Sequence, residues 1–275
     1  MTTLRKRKFD SSNMSFGAHL DVLRGVLVRC VLAWAITTVG AFLLRTPLFT
    51  ILLAPSRPDF ITWRLLEKIG VSSFADSLYS NSSISLISTE LTGQFMTHVH
   101  ISLWTGFLLA LPFIIWQLYQ FVQPALTEVS RSSSFHRPLI CVSAVVLFFV
   151  GVLLNYGIIF PFAYRFLITY QVSESVANMI TLTSYIGTFL TLSLLMGVLF
   201  ELPLLAWILA SVGLLRASIL RRYRKHAVVL IVILAAIITP TGDAFTLLLV
   251  SIPIYFLYEL SIGIVARVNN KCDLH

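Results

Sequence analysis

The sequence predicts an all-α, polytopic membrane protein with six spanning helices, and three observations carry that prediction. Apolar residues make up 57% of the 275 residues and charged residues only 12%, with a mean hydropathy of +0.87. A soluble domain carries about 25% charged residues. Six apolar runs follow one another, most of them near the roughly 20 residues that a spanning helix needs. The basic residues then gather at the ends of those runs, and mostly on one side.

The first 25 residues read as an inner-face segment. Arg5, Lys6, Arg7 and Lys8 are followed by polar Ser11, Ser12 and Asn13, with no apolar stretch directly after them. That pattern is a basic tail and not a secretory signal peptide. Met14 is a second candidate start, beside Met1, because the motif-bearing region begins just after it. The spans are placed at about 26–44, 98–122, 138–162, 184–212, 226–240 and 244–266, within a single membrane domain covering 1–275. An even number of spans puts both termini on one side. Fifteen basic residues fall on that side, in the N-terminal tail, after spans two and four, and after span six. Only five (Arg45, Arg57, Arg64, Lys68 and Arg165) fall on the other. The excess marks the cytoplasmic face, or its matrix equivalent, as the one that holds the termini.

The outer loop 45–97 is the one long connection. Within it, residues 58–70 carry helical signals: Asp59 is placed as an N-cap, and Phe60, Trp63, Leu66 and Ile69 recur near helical spacing. Residues 72–89 are rich in serine and read as irregular. Span five has only 15 residues, or roughly 22 Å of helix against a hydrocarbon core of roughly 30 Å. The link Thr239–Asp243 is a tight turn, so spans five and six form a short hairpin.

Glu201 stands inside the apolar stretch 187–213, two residues before Pro203. A charged side chain at that depth costs roughly 2.5–3.5 kcal/mol on insertion scales, so such a residue is paired, hydrated or used. The proline removes a backbone donor and frees a carbonyl one turn earlier. No catalytic or metal-binding constellation accompanies it. His98 and His100 are two apart and do not share a helix face, and the three cysteines have no disulfide or metal spacing. No phosphate loop occurs, and the net charge of +8 follows topology, not nucleic acid.

Five stretches carry information together: HLDVLR (19–24), IWQLYQFVQPAL (115–126), IIFPFAYRFL (158–167), SYIGTFLTLSLLMGVLFELP (184–203) and ITPTGDAFTLLLVSIPIYFLYELSI (238–262). In this order, on six spans, the chain resembles the TatC family over about residues 14–268. These are the core subunits of the twin-arginine (Sec-independent) protein translocase. The resemblance implies a glove-shaped six-helix bundle with both termini inside, a capping outer loop and short last helices. It implies no enzyme activity and no cofactor or metal. The implied role is signal-peptide receptor and core subunit, moving folded precursors across an energised membrane with the proton-motive force. The implied partners are TatA- and TatB-type single-span subunits, twin-arginine precursor proteins, the lipid bilayer and further copies of the chain, with no nucleic acid.

Residue by residue, the inner-face recognition site that the resemblance implies takes in Arg24 and Phe121, which match the family, with Asp21 and Glu128 standing close to its acidic positions. Glu201 and Pro203 match the intramembrane polar site, and Pro55 and Asp243 match outer-side structural positions. Two departures affect recognition. Val22 stands where the family carries glutamate, with Asp21 one residue earlier, and Ser130 stands where it carries an acid, with Glu128 two residues earlier. Either Asp21 and Glu128 take over as acceptors for the two arginines, or recognition in this member is altered. That divergence favours a mitochondrial inner membrane over a bacterial plasma membrane, with a thylakoid as a third setting. The rival reading is a proton- or ion-coupled small-molecule carrier with Glu201 as relay, and behind it a structural subunit of a respiratory complex.

Overall fold

The computed structural model describes residues 16–57, 59–68, 86–129, 137–170, 179–239 and 244–272. The described residues are almost wholly helical: α1 (Phe16–Leu43), α2 (Arg45–Leu52), α3 (Ile61–Lys68), α4 (Gly93–Val129), α5 (Arg137–Leu154), α6 (Phe160–Thr169), α7 (Leu182–Phe200), α8 (Leu202–Ser211), α9 (Ala217–Arg222), α10 (Arg224–Ile238) and α11 (Ala244–Cys272). A 3₁₀ turn covers Ala54–Ser56, and a π-helical turn, Asn155–Ile159, joins α5 to α6. Five stretches are long and apolar enough to cross a bilayer: Leu20–Leu43, Gly93–Phe121, Leu139–Thr169, Leu182–Ser211 and Thr246–Asn269. The sixth passage is α10, whose 15 residues match the short span that the sequence implies.

The spans pair through small residues, because helices inside lipid gain from close backbone approach more than from burial of apolar surface. α1 packs along α4. A Cβ on Gly106 of α4 would lie 2.6 Å from Thr38 Cα, so only glycine lets the two backbones meet there. The Thr37 hydroxyl donates to Gly106 O at 2.7 Å, and Trp34 Nε1 donates to Leu103 O at 2.9 Å. α5 and α7 notch into one another. A Cβ on Gly151 would stand 2.5 Å from Met196 O, and one on Gly197 would meet the Phe148 ring at 2.6 Å.

Beside a cluster of Leu111, Phe148 and Val152 between α4 and α5, three further apolar clusters follow the length of the bundle. The outer one holds Phe160, Tyr164, Tyr185, Phe189 and Leu192 with Leu52 of α2. The central one joins Ile159, Met196 and Phe200 to Ile231 and Ala235 of α10 and Val250, Ile254 and Leu257 of α11. The inner one packs Ala206 and Ala210 of α8 and Ala217 of α9 on Val265 of α11.

Within the outer segment 45–97, α3 falls inside the 58–70 stretch that carries helical signals, while α2 at Arg45–Leu52 and the start of α4 at Gly93 are helix that the sequence reading left in the loop. α2 continues from α1 after a turn at Leu44, and the 3₁₀ turn and α3 follow. Bundle side chains hold this cap. Tyr156 OH donates to Ile51 O at 2.8 Å and Tyr185 OH to Leu52 O at 3.0 Å. Both acceptors are end-of-helix carbonyls that lack an intrahelical donor. α3 begins at Ile61, with Phe60 in the N-cap position: the Trp63 N–H bonds Phe60 O at 3.0 Å. The expected cap Asp59 lies one residue outside and is exposed. Phe60 and Trp63 are buried as the spacing predicts.

Proline explains how α3 is stitched down. Pro161 has no N–H to offer the carbonyl four residues back, which is Gly157 O. The Thr62 hydroxyl of α3 donates to that carbonyl instead. Trp63 fills the adjoining space, edge-on to Phe162 at 5.2 Å and under the Arg165 guanidinium at 5.6 Å.

Candidate functional site

Two regions hold the residues singled out from sequence. The first is the inner end of the α1–α4 pair. Asp21 and Arg24 are exposed on the first turns of α1, and Phe121 is half-buried on α4. Glu128 lies in the last turn of α4, which ends at Val129, and its side chain is outside the described residues. The two helices run antiparallel in a register set by Arg29 with Gln117 (Nη1 to Oε1, 3.5 Å), Thr37 with Gly106, and Phe42 stacked on His98 at 4.2 Å. Continued inward, that register brings Arg24 level with the turn of Phe121 and Asp21 about one turn further in, level with the last turns of α4. The structure therefore gathers Asp21, Arg24 and Phe121 at one end of one helix pair, about 100 residues apart in sequence.

On these two helix ends Asp21 and Glu128 are matched in number by Arg24 and Arg29, within a face that is basic overall, and Asp21 takes part in no ion pair among the described residues. A guanidinium arriving from outside would find carboxylates at the surface, where one ion pair is worth about 0–1 kcal/mol. A planar guanidinium fork reaching both oxygens of one carboxylate gains geometry as well as charge.

The second region is Glu201. The sequence places it within one span at 184–212, and the structure keeps one apolar stretch, Leu182–Ser211, interrupted at Glu201 by a single turn residue. Glu201 ends α7 and precedes α8, with φ −76° and ψ −7°, and its N–H bonds Val198 O at 3.1 Å. The physical reason is Pro203: at the second position of α8 its missing N–H does no harm, whereas inside a helix it would cost a ladder bond. The joint turns Glu201 between the central and inner clusters. It is half-buried, flanked by buried Phe200 and Pro203. Its Oε1 is buried and has no hydrogen-bond partner among the described residues. A buried carboxyl oxygen without a partner is uncommon in folded proteins and marks this joint as a polar exception.

Of the outer-side positions, Pro55 is buried in the 3₁₀ turn, whose Ser56 hydroxyl donates to Leu53 O at 2.7 Å. Asp243 lies outside the described residues. No group of three or more metal-binding side chains occurs among the described residues.

Sequence reading missed two polar features. Asn155, fully buried in the π turn, donates from Nδ2 to Ser193 Oγ at 2.8 Å and tethers α5 to α7, while its Oδ1 has no partner among the described residues. Its only signal was a lone amide in the run VGVLLNYGII (150–159). The other is Glu259 of α11, which pairs with Arg224 at 2.7 Å and accepts from Tyr255 OH at 3.0 Å, closing the inner end of the α10–α11 hairpin.

Comparison with known proteins places this frame. The family model described as Sec-independent protein translocase protein (TatC) matches residues 18–253. The Sec-independent protein translocase protein TatC of Blattabacterium sp. subsp. Periplaneta americana (strain BPLAN) is 33% identical over 268 residues, covering 96% of this chain and 99% of that protein. The TatC of Deinococcus radiodurans is 35% identical, covering 89% of this chain and 83% of that protein. A crystal structure of a twin-arginine translocase receptor, TatC, superposes with a TM-score of 0.69 at 28% identity, covering 91% of this chain and 99% of that one. These relatives are bacterial proteins, and they lend no support to the mitochondrial setting that the sequence was read to favour. The chain belongs to the TatC family and is an integral membrane component of the Sec-independent protein translocase.

Proposed function

We propose that this chain is the signal-peptide receptor and core subunit of a twin-arginine translocase in a bacterial plasma membrane. It receives folded precursors at its inner face and hands them to single-span TatA- and TatB-type subunits, with the proton-motive force as driver. Its work is binding and transport, without a catalytic step. The observation that carries the reading is the antiparallel α1–α4 pair, whose inner end collects Asp21, Arg24 and Phe121 and ends close after Glu128. In this reading Asp21 and Glu128 accept the two guanidinium groups, and Phe121 gives the peptide an apolar ledge.

Glu201 serves the partner subunits. A half-buried carboxyl with an unpartnered oxygen, held at a proline joint, suits a polar group on an incoming helix. Pro55 belongs to the outer frame. The rival carrier reading uses the same glutamate as a relay. Co-purification separates them: a translocase subunit brings small single-span partners and crosslinks to a twin-arginine signal peptide, and a carrier does neither. Both termini lie inside in this reading. A C-terminal tag digested by protease from the outer face only would reject that topology.

A further inference from the structure

At the outer end, α2, the Leu86–Ser88 segment and the start of α4 enclose a cavity of about 640 Å³. Its lining is cationic and contains no carboxylate. Arg45 opens α2, Arg57 follows the 3₁₀ turn, and His98 comes from α4. Gln94 and Ser88 add neutral polar groups. Among the described residues neither arginine takes part in an ion pair. His98 is only 8% exposed, is stacked on Phe42, and its Nε2 has no hydrogen-bond partner among the described residues. Gln94 and Phe95 also stand in the first turn of α4, where backbone N–H groups lack intrahelical acceptors and the helix dipole is positive.

The rest of the lining is apolar, with Phe49, Leu53, Leu86, Phe95 and Leu182. Phe95 is 57% exposed, and the nearby end of α1 leaves Leu43 79% exposed. The cavity thus stands at the level where the first span ends and the second begins, with cations around it and an apolar skirt on the membrane side. An oxyanion fits the cationic part through charge-assisted hydrogen bonds, and acyl chains fit the skirt.

We propose that this cavity takes the headgroup of an anionic phospholipid from the outer leaflet, its phosphate facing Arg45, Arg57 and His98. Bound lipid would brace α2 against the start of α4, which share no covalent link shorter than the outer segment between them. It would also give His98 Nε2 the hydrogen-bond partner that it lacks among the described residues.

The test is native mass spectrometry of the full-length protein in detergent, with phosphatidylglycerol or phosphatidylcholine added. The expected result is retention of phosphatidylglycerol over phosphatidylcholine, and a loss of about ten-fold in that preference in the double variant Arg45→Gln, Arg57→Gln. Both arginines are exposed, so the substitution removes charge without disturbing the core. Arg221→Gln with Arg222→Gln, at the opposite end, should leave the preference unchanged. Equal retention of the two lipids overturns the proposal, as does an equal loss in both double variants. Displacement of phosphatidylglycerol by inorganic phosphate shows a free-anion site and overturns the lipid assignment.

Discussion

The outer and inner ends of this molecule are built on opposite rules. In the outer cap, apart from the cationic cavity of Arg45, Arg57 and His98, the polar groups are closed internally. Tyr156 and Tyr185 close the last carbonyls of α2, Thr62 supplies the donor that Pro161 withholds from Gly157, and Trp63 is fully buried between Phe162 and Arg165. At the inner end, Asp21, Arg24, Arg216, Arg221 and Arg222 are exposed, and the one ion pair among the described residues, Arg224–Glu259, lies at the surface. Glu201 stands between the two regimes, half-buried with an unpartnered oxygen. A frame that spends its polar groups on itself is stiff. A face that leaves them open is available for charged partners. The difference assigns the outer cap, outside its cationic cavity, to holding shape and the inner half to recognition.

The largest effect should come from the frame. Gly151→Val puts a Cβ 2.5 Å from the Met196 carbonyl, which is backbone and has little room to give. Overpacking of that kind costs about 1–3 kcal/mol or more, so the melting temperature in detergent should fall. Gly187→Ala, where nothing lies within 4 Å, is the matched control and should melt like the wild type. A Gly151→Val protein as stable as the control would mean that α5 and α7 are not locked at this notch.

Tyr185→Phe comes next. It removes the donor to Leu52 O while leaving the ring in the outer cluster. A buried carbonyl left without a donor costs about 1–3 kcal/mol, and the cap should then be clipped by protease faster than the spans. Thr62→Val should act in the same direction through Gly157 O. If the cap resists protease in both variants, the hydroxyl contacts are not what holds it.

Glu201→Gln should move function and not stability. The carboxyl makes no internal hydrogen bond through Oε1, so the melting temperature should shift little, while crosslinking to single-span partners drops. A variant that melts lower yet keeps its partner crosslinks would make Glu201 part of the frame after all.

The smallest effect belongs to the inner face. Asp21→Asn with Glu128→Gln removes two carboxylates, of which Asp21 is exposed. Each exposed pair is worth about 0–1 kcal/mol, so signal-peptide affinity should fall by no more than about thirty-fold, and by less at high salt. Binding unchanged at low salt would place the arginine acceptors elsewhere.

Much of the architecture was legible from residues alone. Apolar runs bounded by basic residues give spans and their order, because a bilayer demands long uncharged helices and rejects charge from its core. The short fifth passage was legible for the same reason: the chain runs out of apolar residues between His226 and Pro240. Glu201 was found because a carboxylate in such a run is expensive wherever the helix happens to point.

Tertiary structure alone decided the rest. No local pattern says that Thr62 will reach Gly157, that Asn155 will find Ser193, or that Gly106 will admit Thr38, since each pair is joined across tens of residues by packing. The break at Glu201 needed the fold as well. A proline can kink a helix or start a new one, as Pro253 inside α11 and Pro203 at the head of α8 show, and neighbouring helices select which occurs. Sequence by itself determined which segments enter the membrane, in what order and with what charge at each end, because those follow from transfer out of water. Which polar groups meet, and which are left open for a partner, followed only from the close approach of backbones in three dimensions.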